Sequence, residues 1–366
     1  MRRTVRSFGS LLAFASVASC ASVRQPVDGS AAPRDSANVV FVVDEADAAL
    51  DVIRAHRAGE AIDTNKWSGL FRTQGYLRLK EREAAMGRAF TDSSFRSFLM
   101  SDSLAARLPM LERAVSELER ARIASSASMA LAYLPAGTQL RARLYLEIKP
   151  ITNTFVFTGA DSIPSIFLYV QTSETAAQLQ NALAHELHHI GTEAACRSEQ
   201  PGDAANLSPA ARTLLDYISA FGEGRAMLAA AGGPEVHPHA EDPDSLRSRW
   251  DRDLARAPSD MKDLASFFSE VVTGRITSAD SVKRRGNSYF GYQGPWYTVG
   301  WLMAATVERQ FGRAALIATL CKPVEFLAQY NRAAARSSDS GRGRLPQWPA
   351  ALIDSLSRLA DSRNVH

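Results

Sequence analysis

The chain has 366 residues, 46% of them hydrophobic, 22% charged and 8% aromatic, a composition that excludes fibrous, low-complexity and wholly disordered classes. The length allows one large domain or two modest ones, with a core that needs neither metal nor disulfide to stand. Three of the 42 basic residues, Arg2, Arg3 and Arg6, stand in a first stretch of 19 residues that holds no acid, and removing them leaves 39 basic against 39 acidic residues. A body of balanced charge carries no electrostatic footprint for nucleic acid.

Residues 1–19 read as an export signal: three arginines, then the short apolar run Leu11–Val17, well below the ~20 residues that cross a bilayer. The run closes in Val17-Ala18-Ser19-Cys20, which resembles a bacterial lipobox. That resemblance implies a lipid on Cys20, which becomes the mature N-terminus and anchors the protein in the bacterial envelope, at the periplasmic face or in the outer membrane. Ordinary cleavage after small residues, with Cys20 incidental, is the alternative. Residues 20–38, rich in Ala, Ser, Pro, Gly and Asp, read as a flexible tether.

Residues 39–135 form a predicted helical part, with helical signals from Asp44 to Leu131. The clearest runs from Ser103 to Leu131, where Leu104, Leu108, Leu111, Val115, Leu118 and Ile123 recur at helical spacing. No motif in this part carries chemistry, which leaves it as scaffold and one wall of a cleft. Residues 136–366 form the expected catalytic part, in the same or a second domain. After Pro135-Ala136-Gly137 the period changes to two across Arg141–Ile148, the mark of a half-buried strand. Thr154–Phe157 and Ser165–Val170 read as two more strands, the last as an edge strand able to pair with an extended peptide. A helix follows at Ser173–Thr192, then helices at Ser208–Ala231, Ser245–Thr273, Pro295–Phe311 and shorter pieces to Ala360. The predicted class is α+β, mainly helical, with a small sheet ahead of the helix at 173–192. Cys196 and Cys321 could form one disulfide in an oxidising compartment or remain two buried thiols.

That helix carries His185-Glu186-Leu187-His188-His189, an instance of H-E-x-x-H. Residues four apart lie one turn apart on one helix face, so both imidazoles can reach a single Zn²⁺ at about 2.0–2.1 Å. Glu186 falls about 100° round the helix, beside the metal, placed to take a proton from the attacking water and pass it to the leaving amine. Ala176, Leu179, Leu183, Leu187 and Ile190 make the apolar stripe, which turns His185 and His189 toward a cleft. His188 points away from the metal face, toward packing or the ligands' surroundings.

A catalytic zinc takes a third protein ligand. Thr192 and Ala195 stand where the metzincin extension needs Gly and His, which excludes that class. Glu223, in Phe221-Gly222-Glu223-Gly224-Arg225-Ala226, is the choice, on a helix with Ser208 as N-cap, Pro209 in its first turn and a stop at Gly232-Gly233-Pro234. Two glycines in a helix interior cost about 1 kcal/mol each, which points to a close approach, expected here with the metal helix. Asp216, two turns earlier, is the alternative ligand.

An H-E-x-x-H helix followed by Glu223-Gly224-Arg225-Ala226 resembles the gluzincin pattern, which implies a zincin-like fold with that glutamate as third ligand. Together with His185–Ile190 and the later Gly294-Pro295-Trp296-Tyr297-Thr298-Val299-Gly300-Trp301, it is similar to a bacterial family of unknown function described as zinc-dependent proteases. The likeness spans about residues 140–330 and implies one Zn²⁺ per chain and a peptide or protein substrate. Gluzincins often carry an Asp four residues after the glutamate, where this chain has Met227.

In the Gly294–Trp301 segment, Trp296 and Trp301 read as core, and Tyr297 as core or as a donor to the oxyanion of the tetrahedral intermediate. His237-Pro238-His239 reads as a solvated loop. Two rival readings stand beside the peptidase: a non-catalytic envelope lipoprotein with a vestigial or structural metal, and a hydrolase of cell-wall amides.

Overall fold

A computed structural model of the chain describes residues 37–119, 123–150, 155–158, 163–170, 175–197, 206–339 and 345–363. The expected export signal, Cys20 and the tether up to residue 36 lie outside them. Strand β1 (Ala37–Val42) leads into helices α1 (Asp44–Arg57), α2 (Thr64–Leu70), α3 (Gln74–Ala85), α4 (Asp92–Leu99), α5 (Asp102–Ala106), α6 (Leu108–Glu119) and α7 (Ile123–Leu131). Strands β2 (Leu140–Glu147), β3 (Phe155–Thr158) and β4 (Pro164–Tyr169) follow, then the long helix α8 (Ala176–Cys196). After it come α9 (Pro209–Ile218), a 3₁₀ turn at Ser219–Phe221, α10 (Gly222–Ala231), α11 (Asp244–Ala255) and α12 (Ala257–Val272). The last are α13 (Ala279–Ser288), α14 (Pro295–Phe311), α15 (Arg313–Ile317), α16 (Pro323–Asp339) and α17 (Ala350–Arg363). The protein is α+β and mainly helical, with one small mixed sheet.

Three long predicted helices are each divided. Leu108-Pro109 opens α6, and Ala257-Pro258 opens α12. Proline lacks the N–H that an interior position needs but fits the first turn, so it starts a helix where the apolar periodicity alone continues one. Between α9 and α10 the chain tightens into the 3₁₀ turn just ahead of Gly222 and Gly224.

The sheet runs in the order β1-β2-β4-β3. β2 is parallel to both β1 and β4, with Tyr145 opposite Val42 on one side and Phe167 on the other, while β3 is antiparallel to β4. β4 is therefore an interior strand, and the expectation that it offers a free edge is corrected: the outer strands are β1 and β3. The physical sign is in β4 itself, because Ser165, Ile166, Phe167 and Leu168 are all buried, as in a strand covered on both faces. β1 extends the sheet where the sequence reading placed the end of a tether. Through it, a strand ahead of the helical part joins the sheet that precedes α8.

Two apolar cores flank α8. Leu179, Leu183, Leu187 and Ile190 pack into the core formed with the sheet and the first helices, each contributing about 1.5–3 kcal/mol by burial. Ala176, expected in the same stripe, is exposed in the first turn. The second core gathers α9 to α17 around Phe221, Phe268, Trp296 and Trp348. α8 belongs to the first core and α10 to the second, so the residues these two helices offer each other sit at the seam.

Candidate metal centre

The start of α8 is fixed by a reciprocal cap. The Thr175 side chain accepts a hydrogen bond from the Gln178 amide at 3.2 Å, and the Gln178 side chain accepts from the Thr175 amide at 2.7 Å. From that start the helix brings His185 and His189 to one side, with their Nε2 atoms 3.0 Å apart. Across the seam, Oε2 of Glu223 on α10 lies 3.2 Å from each of those nitrogens. Tetrahedral ligands about 2.0–2.1 Å from one ion are about 3.3 Å from each other, so the triangle is close to the size a zinc ion requires. Two imidazoles and a carboxylate are also the donor types that Zn²⁺ accepts, which makes the residues fit the ion. Among the described residues this is the one group of three or more such side chains whose donor atoms converge.

Glu223 is carried there by an unusual helix contact. A Cβ on Gly224 would stand 2.0 Å from the Trp301 amide nitrogen and 2.2 Å from the Gly300 carbonyl carbon. The close approach that glycine permits is therefore between α10 and α14, and not with the metal helix as the sequence suggested. Gly222 meets nothing within 4 Å. Gly232 ends α10 at φ 84°, a left-handed position suited to glycine. Asp216 lines the neighbouring cleft but is not among the converging donors.

The electrostatics favour a cation at this point. Burial by itself would raise the Glu223 carboxyl, but His189 and His185 outweigh it and hold the group well below the usual carboxylate range. Burial would likewise lower His189, but Glu223 and Glu186 reverse the effect and push it up to about 9. The same arrangement that favours a proton here favours a dication. Glu186 is half-buried; burial raises its pKa, opposed by the two histidines.

Tyr297, in the first turn of α14, lies with its ring 6.3 Å from that of His185 and nearly parallel to it. Its hydroxyl hydrogen-bonds the Glu223 carboxylate, and burial first, then that carboxylate, keeps it protonated. The structure thus brings Tyr297 to the three donors, while Trp296 and Trp301 are buried in the core as expected. Met227 is buried in the second core, so no carboxylate stands four residues after Glu223.

His188 is buried, with one ring nitrogen bonded to the Tyr133 backbone and Nδ1 unpartnered among the described residues. The loop with His237 and His239 is less solvated than its sequence implied. His239 is buried, and its Nδ1 is 2.5 Å from Asp242, which also accepts from Gln178 on α8 at 2.8 Å. This loop ties down the start of the metal helix, a role with no local sequence signal.

His189 and Glu223 border a cleft of about 1250 Å³, walled by the C-terminal half of α8, by residues 215–223, and by residues 320–328. Cys196 and Cys321 are joined as a disulfide in that wall, which resolves the pair left open by the sequence.

No curated protein and no solved structure matches the chain. A family model described as "Putative zinc dependent peptidase (DUF5700)" matches residues 67–339, well over half the length, from α3 to α16 and including β2, β3, β4, α8, α10 and α14. The chain belongs to this family.

Proposed function

We propose that the protein is a zinc metallopeptidase of gluzincin type and zincin-like architecture, holding one Zn²⁺ per chain on His185, His189 and Glu223 and cutting peptide bonds in peptide or protein substrates. The observation that carries this reading is the convergence of the three donor atoms within 3.0–3.2 Å of one another, next in sequence to a half-buried Glu186. A bound Zn²⁺ supplies Lewis acidity, which sharpens water as a nucleophile and polarises the scissile carbonyl.

Glu186 takes the proton of the attacking water and delivers it to the leaving amine nitrogen. Tyr297, kept protonated, turns its hydroxyl from Glu223 to the oxygen that gains charge in the tetrahedral intermediate. The outer strand β3, which packs beside α8, is the edge to which an extended substrate adds by main-chain pairing.

Metal analysis of the purified chain tests the reading. About one zinc per chain is expected, with uptake strongly weakened in His189→Ala and in Glu223→Ala. No zinc uptake by the wild-type chain would leave an envelope protein without this chemistry. If zinc binds, turnover of casein-like peptides against cell-wall fragments separates a peptidase from a cell-wall amidase.

The proposal extends to location: an exported protein held in the bacterial envelope by a lipid on Cys20. The arginine-led apolar start and Val17-Ala18-Ser19-Cys20 support it, as does a disulfide, which persists in oxidising compartments. Labelling with a radioactive fatty acid should mark the wild-type chain and not Cys20→Ser.

A further inference from the structure

Arg225, two residues after Glu223, is 5% exposed. Its Nη2 donates to the carbonyl of Thr319 at 3.1 Å and to the Thr319 hydroxyl at 3.0 Å, and its guanidinium carbon lies 3.8 Å from the centre of the Phe326 ring. All these partners are neutral. The other buried arginines have acids: Arg78 pairs with Glu81, and Arg82 with Glu83. Arg225 forms no such pair among the described residues, and its Nη1 has no hydrogen-bond partner among them. A guanidinium taken out of water without an anion is strongly unfavourable.

The place of this uncompensated cation is informative. Arg225 lines the same cleft that His189 and Glu223 border. Thr192, one turn beyond His188 on α8, lines it too, with a buried hydroxyl that also has no partner among the described residues. The imidazole of His188 in this wall offers Arg225 no negative charge. A forked cationic donor and an unpartnered hydroxyl in the wall of one cleft are complementary to a planar carboxylate.

We propose that Arg225 and Thr192 form a carboxylate-binding subsite of the cleft that His189 and Glu223 border, which takes a carboxylate of the substrate. The identity of the ligand as substrate rests on the peptidase reading; the binding of a carboxylate does not. The carboxylate comes either from the C-terminus of a peptide or from an acidic side chain, and both present the same two oxygens.

Binding to the metal-free full-length chain, followed by NMR of the ligand, tests this without turnover. One pair of probes is N-acetyl-alanyl-alanine and its carboxamide. A second pair, both amidated at the C-terminus, differs only in Glu or Gln as last residue. At least a tenfold preference for the carboxylate member of one pair is expected, and the pair that shows it identifies the source. The preference should vanish in Arg225→Met and shrink severalfold in the near-isosteric Thr192→Val. Equal affinities in both pairs would overturn the subsite. If Arg225→Met fails to fold, an undiminished preference in Thr192→Val would do the same. Carboxylate preference with no turnover by the zinc-loaded chain would keep the subsite and remove the peptidase; turnover with no preference would do the reverse.

Discussion

At position 186 one amide substitution separates proton transfer from metal binding. Glu186→Gln keeps the size of the side chain and touches none of the three donors, so zinc content should stay near wild type while kcat/KM falls by about 10²–10⁴. Equal turnover in the variant would assign the proton to another group. Tyr297→Phe should keep zinc and lower kcat by about 10²–10³, with a smaller effect on KM, if its hydroxyl serves the oxyanion; a side chain that only packs would leave kcat alone. A buried glutamate pair makes stability depend on pH. Glu45 and Glu147 are fully buried, and Gly75 is packed so close that a Cβ there would sit 2.7 Å from Cβ of Glu45 and 3.3 Å from Oε1 of Glu147. Of their four carboxyl oxygens, only Oε2 of Glu45 has a partner among the described residues, the Ile148 amide at 2.9 Å. Burial raises Glu45 to about 8, and burial and then Glu45 raise Glu147 well above the ordinary range. An acid whose folded pKa is raised keeps its proton in the native state while the unfolded chain loses it. Stability therefore falls as pH climbs from about 5 to 7.5, by about 1 kcal/mol per unit for each proton held. Lys149, lowered by burial to about 8, acts above that window. Glu147→Gln should flatten the slope seen in urea unfolding at pH 5, 6 and 7.5; a slope as steep as wild type would mean that the pair is not the cause.

Between elements, the contact that matters most to the site is α10 against α14. On helix propensity alone, Gly→Ala stabilises by about 0.5–1 kcal/mol. Gly222→Ala should show that gain, since nothing stands within 4 Å of its Cβ. Gly224→Ala should instead lose at least about 2 kcal/mol by overpacking, because the atoms it meets at 2.0–2.2 Å are backbone of Trp301 and Gly300. Zinc affinity should fall with it, Glu223 being the adjacent residue; a Gly224→Ala chain as stable as wild type would disprove the wedge. How far the sequence reveals such things depends on the range over which the signal acts. The H-E-x-x-H helix and the helix from Pro295 are local patterns, and each is found where its residues predict. The partner of Gly224 is set by a residue pair more than seventy positions apart, which no local pattern carries. The same holds for β4: its residues announce a strand, but its neighbours depend on where β1 and β3 pair. Prolines 109 and 258 did carry a local signal, a helix start, which the continuing apolar period concealed.

Over the whole molecule, the three converging donors come from two cores, and one covalent link spans that seam. His185 and His189 belong to a helix packed in the sheet core, while Glu223 and Tyr297 belong to helices of the second core. The Cys196–Cys321 disulfide joins the end of α8 to the segment after α15 and closes a loop over a sequence separation of 125 residues, a loop that contains both Glu223 and Tyr297. Closing so long a loop restricts the unfolded chain more than the folded one, and chain-entropy arguments put the gain at about 2–5 kcal/mol. The seam is also held by packing of α8 on α10, the two helices that bear the three donors, whereas the bridge attaches at the last residue of α8. The Cys196→Ser/Cys321→Ser chain should therefore unfold at lower urea, with a larger m-value because its denatured state is less constrained. It should still take up about one zinc per chain once folded. Stability and zinc lost together, under conditions where circular dichroism shows the helices intact, would mean that the bridge itself holds the metal donors in register.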